Sequence, residues 1–334
     1  MEQKIIITGC AGLLGCHLSR HLLGKGHTVV GIDNLSGGYK DFLPARGKKM
    51  RFYNLNLEKD TEGLKDIFKI HKPDVVYHFA AYAAEGLSPF IRNFNYTNNV
   101  LASVNIINEC IKSKSKLIFT SSMAVYGNQT PPFTEDLLQS PIDPYGIAKY
   151  AVEMDIITAH KQFGLMYNII RPHNVLGIYQ NIWDKYRNVI GIFIKKALNG
   201  EPISIYGDGE QTRAFSDIQY YMEPFEKLIS EHSGEIFNIG ADKYFTINEV
   251  ANIVQDIAMN KHQLHVEIEH KEPRHEAKHA YCDHTKAKEL LNFEDKTNLY
   301  NLIDTMFDWA KEQPNRKTKL MDYEVTQGIY EYWK

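Results

Sequence analysis

Residues 4–33 read KIIITGCAGLLGCHLSRHLLGKGHTVVGID. The β-branched run at 5–8 predicts a strand, glycines at 9, 12 and 15 follow at once, and the apolar positions from 13 to 23 recur at helical spacing. A second β-branched run at 28–32 ends in Asp33. A strand entering a helix through a glycine turn has a physical use. Missing side chains permit the tight turn, and the backbone N–H groups at the helix start carry positive partial charge that suits a pyrophosphate. A carboxylate ending the next strand, 24 residues after Gly9, is placed to accept hydrogen bonds from ribose hydroxyls. The stretch therefore predicts a βαβ dinucleotide-binding turn. Asn34-Leu35-Ser36 offers no arginine for a 2′-phosphate, so NAD is expected rather than NADP.

Working outward, apolar runs at 5–8, 28–32, 50–54, 75–79, 116–121 and 166–170 alternate with amphipathic stretches at 13–23, 61–71, 98–114 and 145–163. The runs are continuous rather than alternating in polarity, as expected when both faces of a parallel sheet are covered. The pattern predicts an α/β, doubly wound parallel sheet. After Arg171-Pro172 the rhythm changes: a polar loop at 177–186, a helix at 189–198, a strand at 203–206, and a capping box, Thr246-Ile-Asn-Glu249, opening a helix to about 259. The expected division is a dinucleotide-binding domain over 1–176 and a smaller mixed α/β domain over 177–334, with a segment near 215–240 returning to the first.

Tyr145 and Lys149 lie four residues apart, hence on one helical face. They follow Asp143-Pro144, a helix-start signature, and come 23 residues after Ser121-Ser122 at the end of a predicted strand. A phenol with a pKa near 10 is a poor base at neutral pH, and a neighbouring ammonium together with a cationic nicotinamide would lower it. Ser122 would hydrogen-bond the reacting oxygen. A second Tyr-x-x-x-Lys, Tyr330 to Lys334, sits in what reads as a polar tail with no such neighbours.

Composition excludes other classes. The 334 residues are 43% hydrophobic and 24% charged with net charge −3, so the chain is globular and has no cationic surplus for nucleic acid or an anionic membrane. Its apolar runs are far shorter than the ~18 residues that span a bilayer. The N-terminal apolar run breaks before a signal core forms, which gives a cytoplasmic expectation. Four scattered cysteines read as reduced thiols. Six of the 14 histidines fall within 261–284, but without a cysteine pair they read as a solvated surface stretch rather than a metal site.

Taken together, the glycine turn, Asp33-Asn34-Leu35-Ser36, His78-Phe79-Ala80-Ala81, Asn98-Asn99, Thr120-Ser121-Ser122, Tyr145-x-x-x-Lys149, Arg171-Pro172-His173-Asn174-Val175, Gly207-Asp208-Gly209 with Arg213, and Pro273-Arg274 resemble, in order, the extended short-chain dehydrogenase/reductase family. Within it they are similar to the nucleotide-sugar epimerases of the UDP-glucose 4-epimerase type. The resemblance spans about residues 3–310. It implies a Rossmann-type domain that keeps NAD bound and a C-terminal domain that closes over a nucleotide sugar, UDP above all. By that resemblance Gly9, Gly12, Leu13, Leu14, Gly15, Asp33, Asn34, Ser36, Asn56, Leu57, Phe79, Ala80, Ala81, Asn99, Tyr145 and Lys149 contact NAD. Ser122, Met123, Tyr145, Asn174, Arg213 and Arg274 face the substrate, and Ser122, Tyr145 and Lys149 are catalytic. The family's dehydratases carry an Asp-Glu pair after the catalytic Ser/Thr and its decarboxylases a Glu; Met123 and Ala124 stand there instead. This leaves epimerisation at C4, by transient oxidation to a keto sugar and return of hydride to its other face. The alternatives are another nucleotide-sugar modification of the family or a silent NAD-binding regulator. Lys185 and Arg187 raise an acidic sugar as one option beside plain solvated charges. The helices at 98–114 and 145–163 would, by the resemblance, form a homodimer's four-helix interface.

Overall fold

The computed structural model describes residues 1–45, 47–273, 277–317 and 319–333, without the Tyr332 side chain. Six strands come in chain order: β1 (Lys4–Thr8), β2 (Thr28–Asp33), β3 (Met50–Asn54), β4 (Val75–His78), β5 (Lys116–Thr120) and β6 (Tyr167–Pro172). They form one parallel sheet in the order β6-β5-β4-β1-β2-β3, and Glu235–Ile239 pairs in parallel outside β6 as a seventh strand. Because side chains alternate across a strand, β1 sends Ile5 and Ile7 to one layer, with Leu18, Tyr77 and Phe225, and Ile6 to the other, with Val76, Ile106 and Ile156. All three isoleucines are fully buried, which is why these strands read as unbroken apolar runs. Strand order reverses between β1 and β4. The crevice beyond their carboxyl ends is where such sheets hold ligands.

The helix Pro144–Phe163 is sharply delimited. The Asp143 carboxylate accepts from the Gly146 N–H at 2.9 Å, Pro144 opens the first turn, and Gly164 at φ +73° ends it. The helix expected at 98–114 starts earlier, as Arg92–Tyr96, and runs through a wider π-turn at Thr97–Leu101 into Ala102–Ser113. Its polar opening hides the start. On these two helices Leu101, Ile147 and Met154 stand exposed, on the elements expected to form a dimer face.

Beyond β6, Val189–Asn199, Ile247–Asp256 and Leu299–Lys311 enclose a second core around Phe193, Val250, Val254 and Phe307. The Thr246–Glu249 capping box is formed as read. The chain at 218–239 turns back: Ile218, Tyr221, Phe225 and Phe237 pack with the β1 layer.

Three expectations fail here. The loop at 177–186 is largely interior, since Gln180, Ile182, Trp183 and Tyr186 are buried. Nor is the histidine-rich stretch uniformly solvated. His284 is buried against His173, with Nε2 to Nε2 at 2.7 Å, and the His262 ring stacks on Phe307 at 4.5 Å; His275 lies outside the described residues. The tail at 321–333 is no free polar tail, because Ile329 and Trp333 are buried against Tyr82, Leu87, Phe90 and Tyr186. Among the described residues no helix is long and apolar enough to cross a membrane.

Candidate active site

A cavity of about 880 Å³ opens at the sheet's switch point. One wall is backbone. Gly9 adopts φ +67°, and a Cβ there would stand 2.8 Å from the Ala80 nitrogen. A Cβ on Gly15 would come within 2.8 Å of the Gly9 carbonyl carbon, so the turn closes only with glycine at both places. Asp33 ties the turn to β2: its carboxylate accepts from the Ala11 N–H at 2.9 Å and the Leu35 N–H at 2.7 Å. Each of its oxygens retains acceptor capacity toward the cavity it lines. Burial raises the Asp33 pKa, and the two backbone donors oppose that rise.

Gly12, Leu13, Leu14, Asn34, Ser36, Leu57, Phe79, Ala80 and Ala81 line this cavity as expected positions should. Asn56 lines it too, though its Oδ1 accepts from the Glu58 N–H at 2.9 Å in a local turn. Asn99 does not line it. Its amide holds the Tyr82 backbone at both ends, accepting from N–H at 2.8 Å and donating to C=O at 3.2 Å, while Asn98 faces the cavity. Asn99 is therefore a brace for the loop after β4 rather than a lining residue.

The second wall carries the titratable trio, and Ser122, Tyr145 and Lys149 all border the cavity. Lys149 is buried, donates to the Thr120 carbonyl at 2.7 Å, and has its ammonium 5.8 Å from the Tyr145 ring centre. Burial pulls the Lys149 pKa down to about 7, with Glu153 one turn on acting the other way. The Tyr145 phenol is held chiefly by its burial. Burial and then the Glu85 carboxylate push it above its ordinary value, while a hydrogen bond with Ser122 and the Arg187 charge pull it down. In a site this dry, desolvation outweighs what the side chains supply.

The substrate-facing expectations divide. Asn174 and Arg213 line the cavity; Asn174 donates to the Ala214 carbonyl at 2.9 Å and Arg213 to the Ala277 carbonyl at 2.7 Å. Met123 turns away into an apolar cluster with Tyr126, Phe133 and Cys282, because it sits in the tight turn that Ser122 caps. Arg274 lies outside the described residues. The structure also adds Glu85, Ser204, Glu269, Lys271 and Trp333 to the lining.

The sequence profile described as the NAD dependent epimerase/dehydratase family matches residues 5–240. The chain belongs to that family. It is similar to the UDP-N-acetyl-alpha-D-glucosaminuronate decarboxylase of Bacillus cytotoxicus, 29% identical over 94% of this chain and 100% of that one. Among solved structures it is similar to the UDP-glucose 4-epimerase of Thermotoga maritima with UDP-glucose, at 31% identity, TM-score 0.85, and 92% and 98% coverage of the two chains. The Thermus thermophilus UDP-glucose 4-epimerase with NAD matches at 25% identity, TM-score 0.85, and 92% and 99% coverage.

The family's cofactor fits the residues present. The cradle at Gly9 and Gly15 has no room for a Cβ, backbone N–H groups stand at the start of the helix Leu13–Gly24, and an acceptor carboxylate, Asp33, ends β2. No arginine stands in Asn34-Leu35-Ser36, but Arg187 arrives from elsewhere: a Cβ on Gly37 would touch its guanidinium, whose Nε donates to Asp184 at 2.7 Å.

Proposed function

We propose that this family member is a 4-epimerase acting on a UDP-hexose. One observation carries the reading: Ser122, Tyr145 and Lys149 converge on a cofactor-sized cleft, while the position after Ser122 is Met123, packed into the apolar cluster rather than offering a second acid. Elimination or decarboxylation asks for that extra acid/base, whereas epimerisation asks for a proton relay and a hydride carrier. NAD, when bound, supplies the hydride acceptor and donor and a positive charge beside the phenol. Tyr145 takes the proton from the sugar hydroxyl and later returns it. Ser122 holds the reacting oxygen by a hydrogen bond, and Lys149, anchored on the Thr120 carbonyl, places a cation beside the phenol when protonated. Tyr145 and Lys149 are buried on the cavity wall, so the proton passes between phenol and sugar away from bulk water.

The charges beside Tyr145 favour a neutral sugar. Arg187 is ion-paired with Asp184 at 2.7 Å and lies over the Tyr82 ring, and Lys185 donates to the Trp333 carbonyl at 3.3 Å. Glu85 adds negative charge at the phenol. A hexuronate carboxylate would meet repulsion with both cations already engaged.

The test is incubation of the purified protein, without added NAD, with UDP-glucose, UDP-N-acetylglucosamine and UDP-glucuronate, followed by separation of epimers and mass analysis. A product of unchanged mass from a neutral UDP-hexose is expected. Loss of water or carbon dioxide, a preference for UDP-glucuronate, or NAD binding without turnover of any sugar would overturn it.

A further inference from the structure

Within 261–284 no cysteine pair completes the histidines, but the fold brings carboxylates to them from elsewhere. Asp304 and Asp308 stand four residues apart on the helix Leu299–Lys311, hence on one face. That face meets His262, which ends the helix running from Ile247 through the π-turn Ile257–Lys261. One ligand atom from each of the three lies within 4.8 Å of the others. None of the three lines the catalytic cavity.

His262 is the member that points to a ligand. Its side chain is only 5% exposed, its ring is fixed by stacking on Phe307 at 4.5 Å, and its Nε2 is buried without a hydrogen-bond partner. That nitrogen faces Asp308 Oδ1 at 3.4 Å and makes no hydrogen bond with it. A protonated imidazole aimed at a carboxylate forms a short charge-assisted bond. A neutral one with its proton on Nδ1 turns a lone pair toward negative charge, an arrangement that a cation between them relieves. The spacing suits such a cation, because arms of about 2.1 Å at the tetrahedral angle put neighbouring ligand atoms roughly 3.4 Å apart. Asp304 and Asp308 are both partly exposed and have room to rotate toward the same point.

Positive charge already collects here. The Lys261 ammonium donates to Asp304 Oδ1 at 2.6 Å and to Asp308 Oδ2 at 2.8 Å, while Asp308 Oδ1 is left facing the imidazole. Lys261 is exposed on a flexible stem, so it can withdraw into water when a stronger cation arrives.

We propose that His262 Nε2 and the carboxylates of Asp304 and Asp308 form a zinc-class divalent-cation site, completed by water, that clamps the ends of these two helices. One imidazole nitrogen with two carboxylates suits Zn²⁺, whereas Mg²⁺ and Ca²⁺ prefer all-oxygen sets. Both helices wall the second core, where Ile257, Ala258, Ile303 and Phe307 are buried. A cation held there stabilises that lobe by mass action and takes no part in the sugar reaction.

The experiment uses the untagged full-length chain, stripped with chelator and dialysed, and titrates it by calorimetry with Zn²⁺ alone and, separately, Mg²⁺ alone, with Tm recorded at each concentration. Wild type is compared with His262→Gln, Asp308→Ala and Lys261→Gln. One Zn²⁺ per chain, a Tm that rises with Zn²⁺, and no matching response to Mg²⁺ are expected. His262→Gln and Asp308→Ala should each weaken Zn²⁺ by about tenfold or more, and Lys261→Gln should tighten it by about threefold because a competing charge is gone. If His262→Gln does not fold, Asp308→Ala decides alone, since that side chain is about half exposed. No Zn²⁺ binding by wild type, equal response to Mg²⁺, affinity unchanged in Asp308→Ala, or weakening in Lys261→Gln overturns the proposal. These readouts are binding and stability, so they stand apart from the outcome of the epimerisation assay.

Discussion

At the dinucleotide cradle Gly9, Ala11, Gly15 and Asp33 fall within 25 consecutive residues, and backbone does the work: an N–H donates to a carboxylate, and glycines leave space. Along the cavity's side-chain wall, Glu85, Arg187 and Trp333 come from stretches about 100 and 150 residues apart, and side chains do the work through rings, an ion pair and a carboxylate cap. The cradle tolerates little variation because its geometry is set by excluded volume. The wall depends on side-chain size and charge, which many combinations of residues can supply. A family can thus keep one cofactor while changing its sugar.

The largest effect that sharpens this contrast is expected between the two regions, at Tyr145→Phe. Turnover should fall by roughly 10²- to 10⁴-fold, with bound NAD and UDP affinity unchanged by absorbance and calorimetry. A variant as active as wild type would remove the acid/base from the scheme. Next comes the cradle. Gly15→Ala puts a methyl within 2.8 Å of the Gly9 carbonyl carbon, and overpacking of about 1–3 kcal/mol predicts a tenfold to hundredfold loss of NAD affinity. Undiminished NAD retention after purification would mean that the cradle is not rigid, and the contrast with the wall would collapse.

A further effect is read as stability against pH at Lys149. Its folded pKa, about 7, lies below the ordinary lysine value, and burial is the cause. Between pH ~7 and ~10.4 the unfolded chain binds more protons than the folded one, so stability rises with pH across that window and levels off above it. Lys149→Met should abolish the rise in chemical denaturation profiles, leaving a flatter curve between pH 7 and 10. An unchanged slope would show that another group sets it.

How much of this was legible beforehand follows from range. β1 to β6, the glycine turn, the Asp143–Pro144 helix start and the Thr246–Glu249 box were readable because each is decided within a few residues by propensity, volume or a local hydrogen bond. Trp333 was not. Three aromatics among the polar residues of 328–334 read as a tail, and only the partners Phe90 and Tyr186 make it an interior wall. Which way Asn99 and Met123 face was hidden for a related reason. A motif position names a neighbourhood, and the backbone turn at Ser122 and the loop at Tyr82 decide which way a side chain faces. The depth of burial of the Tyr145 phenol also escaped, because a sequence displays the ammonium four residues away but not what packs around the ring.

By itself the sequence determined the doubly wound sheet, the cofactor turn and the placing of Tyr145 and Lys149 on one helical face, since hydrophobic period, glycine spacing and helical spacing are short-range quantities that any folded context must respect. Only the tertiary structure decided the burial of Tyr145 and Lys149, the Asp184–Arg187 and Lys185–Trp333 engagements, and the packing of Trp333 against Phe90 and Tyr186. Burial and long-range pairing are sums over the whole packed chain, and no local window contains them.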